Sequence, residues 1–238
     1  MALPSSNLIS KILTPALRLW LRSQVEQAEE LEIEIQGKDG QILRGYLPGV
    51  ALRSHRAIYQ GLQLGRVLLK GENIRINIGQ VIKGKPLQLL EPIRVSGEVQ
   101  LTETDLQTSL GSEILANAFT ELLIALLEHQ GVVDPVVLLE PYQIQWQAIA
   151  LQSSGFTLTG SLTKEQEITP LKIRADLVLM NPQTLHLQDI ELFGLPVTVT
   201  LPQEITHLQV DLGTDVEIES LQLDQGELAC VGQLLIRP

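Results

Sequence analysis

The sequence predicts an α+β protein: a long, curved, mainly antiparallel β-sheet cradling an N-terminal helix and a central apolar helix, with a hydrophobic groove between sheet and helices. Three observations carry this expectation. Residues 102–129 are the most apolar helical run in the chain. Short segments of alternating apolar and polar residues fill most of the chain on both sides of that run. Strands and helices do not alternate one for one, which excludes a parallel α/β sheet. The 238 residues read as a single domain over 1–238, with the best internal break at 131–136.

The central run opens with Thr102, Thr104 and Asp105, residue types that cap a helix start, and with Glu103 and Asp105 where the helix dipole favours acid. Gly111 and Ser112 allow a break and restart. From Leu122 to Leu127 every residue is apolar, so this helix needs cover all round. The run is too short to span a bilayer, which takes about 20 apolar residues.

Residues 5–30 are expected to be helical. Thr14-Pro15 is a cap followed by the favoured first helical position, and Leu17, Trp20, Leu21, Val25 and Ala28 recur at helical spacing. LEIEIQ then alternates, and Lys38-Asp39-Gly40 reads as a hairpin turn. Short strands follow up to residue 101, separated at Pro48-Gly49, Gly61, Gly71-Glu72-Asn73 and Gly84-Lys85-Pro86. After Asp134-Pro135 they resume, from YQIQWQAIAL through PVTVTL to ELACVGQLLI.

Composition narrows the function. Aromatic residues make up only 3% and the net charge is −11, both unfavourable for nucleic acid, whose affinity rests on neutralising phosphates. Residues 1–100 carry 13 Lys+Arg against 9 Asp+Glu, a net of +4; residues 101–238 carry 4 against 19, a net of −15. A polarised molecule with a basic end suits an anionic lipid surface. Acidic residues that simply keep a leucine-rich protein soluble explain the same numbers. Cys230 is the single cysteine, in a strand-like run, and reads as a small buried hydrophobe. No signal peptide is evident, so the expected location is cytoplasmic, with peripheral contact at the inner side of a membrane.

Catalytic motifs are scarce. Gly79 to Lys85 has the spacing of a phosphate-binding loop, but Pro86 stands where Ser or Thr should hold magnesium, and a strand-like run follows where a helix is needed. His55, His129, His186 and His207 make no metal-ligand pair at helical spacing. No enzyme, cofactor or metal is expected.

The stretch from Glu72 to Leu115 resembles the core of the LmeA-like phospholipid-binding family, in the version common in photosynthetic bacteria. The likeness lies in Asn73-Ile74, in the Gly84-Lys85-Pro86-Leu87 turn, and above all in Leu101 to Leu106 leading to Ser109-Leu110. Asp211 to Val216, Leu221 and Gly226 extend it to the C-terminal part. The resemblance implies non-catalytic binding of phospholipid in an apolar groove and brings no catalytic residue with it. Some members work in the cell envelope with signal peptides or lipid anchors; this sequence shows neither.

From their own apolar faces, the lipid-contact candidates are Leu13, Leu17, Trp20 and Leu21 on the first helix and Leu115, Phe119, Leu122, Leu123 and Leu126 on the central one. The headgroup candidates are Arg18, Arg22, Arg53 and Arg56. Expected partners are phospholipid or a membrane surface, with no nucleic acid and no protein partner specified. The rivals are a scaffold with a fully buried core that binds a protein and, ranked last because the sequence names no nucleophile, an enzyme acting on a lipid.

Overall fold

The computed structural model describes residues 13–17, 27–195 and 205–238. Trp20, Leu21, Arg18, Arg22 and the PVTVTL segment lie outside the described residues. The strands are β1 (Gln27–Gln36), β2 (Tyr46–Tyr59), β3 (Leu62–Arg75), β4 (Ile93–Thr102), β5 (Gln143–Leu151), β6 (Gly155–Lys164), β7 (Glu167–Asn181), β8 (Thr184–Phe193), β9 (Ile205–Asp211), β10 (Val216–Asp224) and β11 (Glu227–Ile236). The helices are α1 (Asp39–Ile42), α2 (Ile78–Val81), α3 (Glu103–Ser109), α4 (Glu113–His129) and α5 (Pro135–Leu139).

Pairing is antiparallel throughout, but the expected single long curved sheet does not form. The strands divide into a six-stranded sheet, β1-β2-β3-β4-β11-β10, and a separate five-stranded sheet, β5-β6-β7-β8-β9. The reason lies at the outer edge of β5, where side chains of α3 take the hydrogen bonds that a neighbouring strand would take. The Leu151 amide donates to Glu103 Oε2 at 2.8 Å and the Ile149 amide to Gln107 Oε1 at 3.1 Å, while Gln107 Nε2 donates to the Gln147 carbonyl at 2.8 Å. With that edge occupied, β4 cannot continue into β5. It pairs instead with β11, from Ile93 opposite Ile236 to Thr102 opposite Glu227.

Local differences follow the same logic of context over propensity. Residues 14–17 are helical, but residues 27–30, expected in the first helix, belong to β1. Lys38-Asp39-Gly40 opens the one-turn helix α1, not a tight hairpin turn. Pro48-Gly49 and Gly71-Glu72-Asn73 lie inside two long strands, where Asn73 adopts a φ of 55° and so supplies an irregularity without ending β3.

Two hydrophobic cores result. One lies on the five-stranded sheet under α3, α4 and α5, around Leu123, Leu126, Leu127, Leu158, Leu162 and Ile173. The other lies on one end of the six-stranded sheet, where Leu13, Leu17, Ile42, Leu47, Ile74, Ile78 and Val81 pack together.

Candidate functional site

The junction between the two sheets is built by α3. Thr102 caps it: its Oγ1 accepts from the Asp105 amide at 3.1 Å, and Asp105 Oδ2 accepts from the Thr102 amide at 2.8 Å. Such a reciprocal cap fixes where the helix starts. Ser109, fully buried, then accepts from the Gln63 amide at 2.7 Å and donates to the Asp105 carbonyl at 2.6 Å, which ties α3 to β3. Approach is close enough that a Cβ on Gly65 would stand 2.9 Å from the Asp105 carboxylate. Glu103 and Gln107 reach β5 on the other side, and the Glu103 amide donates to the Gly226 carbonyl in the β10–β11 turn at 2.8 Å. One seven-residue helix thus holds strands of both sheets.

The chain bends by 91° between α3 and α4, at the expected Gly111-Ser112 restart, and Ser112 caps α4 by accepting from the Leu115 amide. Among the described residues no single helix is long and apolar enough to cross a membrane. Leu123, Leu126 and Leu127 are 0% exposed, packed on the five-stranded sheet. Each such burial stabilises by about 1.5–3 kcal/mol. Phe119 meets Trp146 edge to face at 5.8 Å, and Trp146 Nε1 donates to Thr120 Oγ1 at 3.4 Å, which fixes the rotation of α4 on β5. Leu115, Phe119 and Leu122 stay only partly buried at the margin of this core.

The candidate contacts therefore separate. Leu13 and Leu17 sit in the core of the six-stranded sheet, and Leu123 and Leu126 are enclosed in the other. Arg53 lies opposite Leu68 and Glu32 on the exposed face of the six-stranded sheet, away from its apolar face. Arg56, at a φ of 49°, pairs with Glu29 at 3.6 Å.

The apolar face of the six-stranded sheet continues beyond its core. Register places Val67 opposite Val99, Val99 opposite Cys230, and Cys230 opposite Leu221. One step along, Gly97 faces Gly232, and Leu69 leans over Gly97, so that a Cβ there would stand 2.8 Å from its δ-carbon. Val99, Leu221 and Cys230 are partly buried and, among the described residues, belong to neither core. Leu101, Leu223 and Leu228 carry the band on to the margin of the core on the five-stranded sheet. Near its end, a shallow cleft of about 390 Å³ lies where β10 meets the β5–β6 turn and β7, lined by Ser153, Ser154, Leu177 and Leu221–Asp224. Burial pushes the Cys230 thiol pKa up, which fits an apolar role and disfavours a nucleophilic one.

Sequence spacing misses one cluster. His129 at the end of α4, His207 on β9 and His186 on β8 stack edge to face at 5.8 and 5.5 Å. The β8–β9 register brings His186 beside His207, α4 packed against β9 adds His129, and no local spacing announces it. Among the described residues no group of three His, Cys, Asp or Glu could hold a metal ion.

The comparison that decides the family is a match of residues 5–233 to the model of LmeA-like phospholipid-binding proteins. The chain belongs to the LmeA-like phospholipid-binding family. No curated protein and no solved structure matches it. The family is described by phospholipid binding, and the chain is a binding protein of that family. The stretch most distinctive in the sequence, Leu101 to Leu110, is the junction that joins the two sheets.

Proposed function

We propose that the chain binds phospholipid with the acyl chains lying along the apolar band that connects the two cores. The observation that carries this reading is the band of Val99, Leu221 and Cys230, partly exposed and, among the described residues, part of neither core, whereas Leu123, Leu126 and Leu127 of the central helix are fully enclosed. Each methylene withdrawn from water contributes about 0.8 kcal/mol, so a chain laid along the band gains affinity without any strong polar contact. Leu115, Phe119 and Leu122 stand at the margin toward which the band runs and are the helical residues still able to complete the site.

Native mass spectrometry of protein purified from its own host tests the reading. Phospholipid is expected on the wild-type chain, and Leu221→Gln with Val99→Thr should lose it while keeping the same circular dichroism. Lipid-free wild-type protein that forms a stable complex with a protein partner would favour the scaffold reading instead.

A further inference from the structure

The end of the six-stranded sheet formed by α1, α2 and the loop after them carries exposed aliphatic residues among cations. Leu43, Ile82 and Leu90 are 54%, 48% and 58% exposed. Their neighbours Ile42, Ile78, Val81 and Leu87 fill one core, so the three exposed residues stand on a firm base. The Ile76 amide donates to the Gly45 carbonyl at 2.8 Å and the Leu90 amide to the Arg75 carbonyl at 2.9 Å, which joins the three segments. Residues 38–44 and 75–91 hold Lys38, Arg44, Arg75, Lys83 and Lys85 against only Asp39 and Glu91, in a chain whose net charge is −11. Among the described residues none of Lys38, Arg44, Lys83 and Lys85 forms an ion pair. The second exposed aliphatic cluster, Val133, Val136 and Val137, lies beside Asp134 and Glu140 with no cation in its segment, so charge separates the two.

We infer that the α1–α2 end docks on the surface of an anionic phospholipid bilayer. Leu43, Ile82 and Leu90 enter the boundary between headgroups and acyl chains, and Lys38, Arg44, Lys83 and Lys85 meet the phosphates. Long cationic stems reach the headgroups while their methylenes stay against apolar surface. The proposal rests on the phospholipid reading above: it says where a phospholipid-binding chain meets the membrane.

Vesicle flotation of the full chain tests it. The vesicles are pure phosphatidylcholine, or phosphatidylcholine with about a third phosphatidylglycerol, an anionic surface of the kind that attracts basic segments. The wild-type chain should float with the anionic vesicles and not with the neutral ones. Lys83→Gln with Lys85→Gln should lower partitioning roughly tenfold to thirtyfold. Leu43→Ser, Ile82→Ser and Leu90→Ser together should abolish flotation. Lys164→Gln with Lys172→Gln, the same charge loss on the other sheet, should change nothing. All the substituted side chains are on the surface, and an unchanged melting curve shows that each variant folds. Equal binding to neutral vesicles, no flotation at all, or equal loss in the control overturns the proposal. Native mass spectrometry of the same protein preparations before vesicles are added separates the two ideas. Flotation without co-purified phospholipid sinks only the acyl-band reading, and co-purified phospholipid without flotation sinks only the docking surface.

Discussion

The two sheets treat the same kind of apolar face differently. The five-stranded sheet is closed over: α4 sets Leu123, Leu126 and Leu127 into it, and Leu158, Leu162 and Ile173 beneath them are 0% exposed. Among the described residues the six-stranded sheet is closed at one end, by residues 13–17 with α1 and α2, and its apolar face runs on through Val99, Leu221 and Cys230 with partial cover. A stretch of aliphatic sheet that the chain leaves partly open costs hydration of apolar surface, and a ligand can remove that cost. The proposed binding band belongs to the open region, and the fully enclosed core that stabilises the fold belongs to the closed one.

The largest effect should come from the closed region. Leu126→Ala removes a fully enclosed side chain and should cost about 2–5 kcal/mol in urea unfolding. Leu221→Ala, on the open band, should cost under about 1 kcal/mol by the same measurement while lowering phospholipid content. Equal costs would erase the distinction. Next comes the joint between the regions. Ser109→Ala leaves the half-buried Gln63 amide without its acceptor, a loss of about 1 kcal/mol, and hydrogen exchange should quicken in β3 around Gln63 before it does in β7. Thr102→Ala removes the cap of α3 and should cost about 1 kcal/mol. The smallest effect lies at the sheet end remote from α3, where Arg237 donates through Nη2 and Nε to the two carboxylate oxygens of Asp215 at 2.6 and 3.2 Å. Those hydrogen bonds hold the Asp215 pKa below its usual range. A carboxylate lowered in the folded state adds stability above the usual carboxylate range and loses it as pH falls through the lowered value. Asp215→Asn should therefore reduce the melting temperature slightly at neutral pH and not at all in strong acid.

Much of the local structure was readable in the sequence. Thr102, Asp105, Gly111 and Ser112 announce α3, the bend and α4, because caps and restarts are settled by neighbours in sequence. Period-two alternation places most strands for the same reason. What alternation cannot encode is which strand lies beside which, and so the division into two sheets was hidden. It depends on Glu103 and Gln107 reaching the edge of β5, more than 40 residues away. The apolar run Leu122–Leu127 suggested a helix enclosed on all sides, but the fold encloses Leu123, Leu126 and Leu127 and leaves Leu122 and Ile124 at the margin. Cys230 read as a small hydrophobe, and its place on the open band appears only through its register with Val99 and Leu221.

That register makes the single cysteine a reporter for the central claim. The rate of alkylation of Cys230 by a maleimide should be compared between delipidated protein and the same protein reloaded with phospholipid. An acyl chain along the band covers the thiol, so the loaded protein should react several-fold more slowly. Equal rates, with lipid loading verified by mass spectrometry, would contradict the assignment of the band as the binding surface.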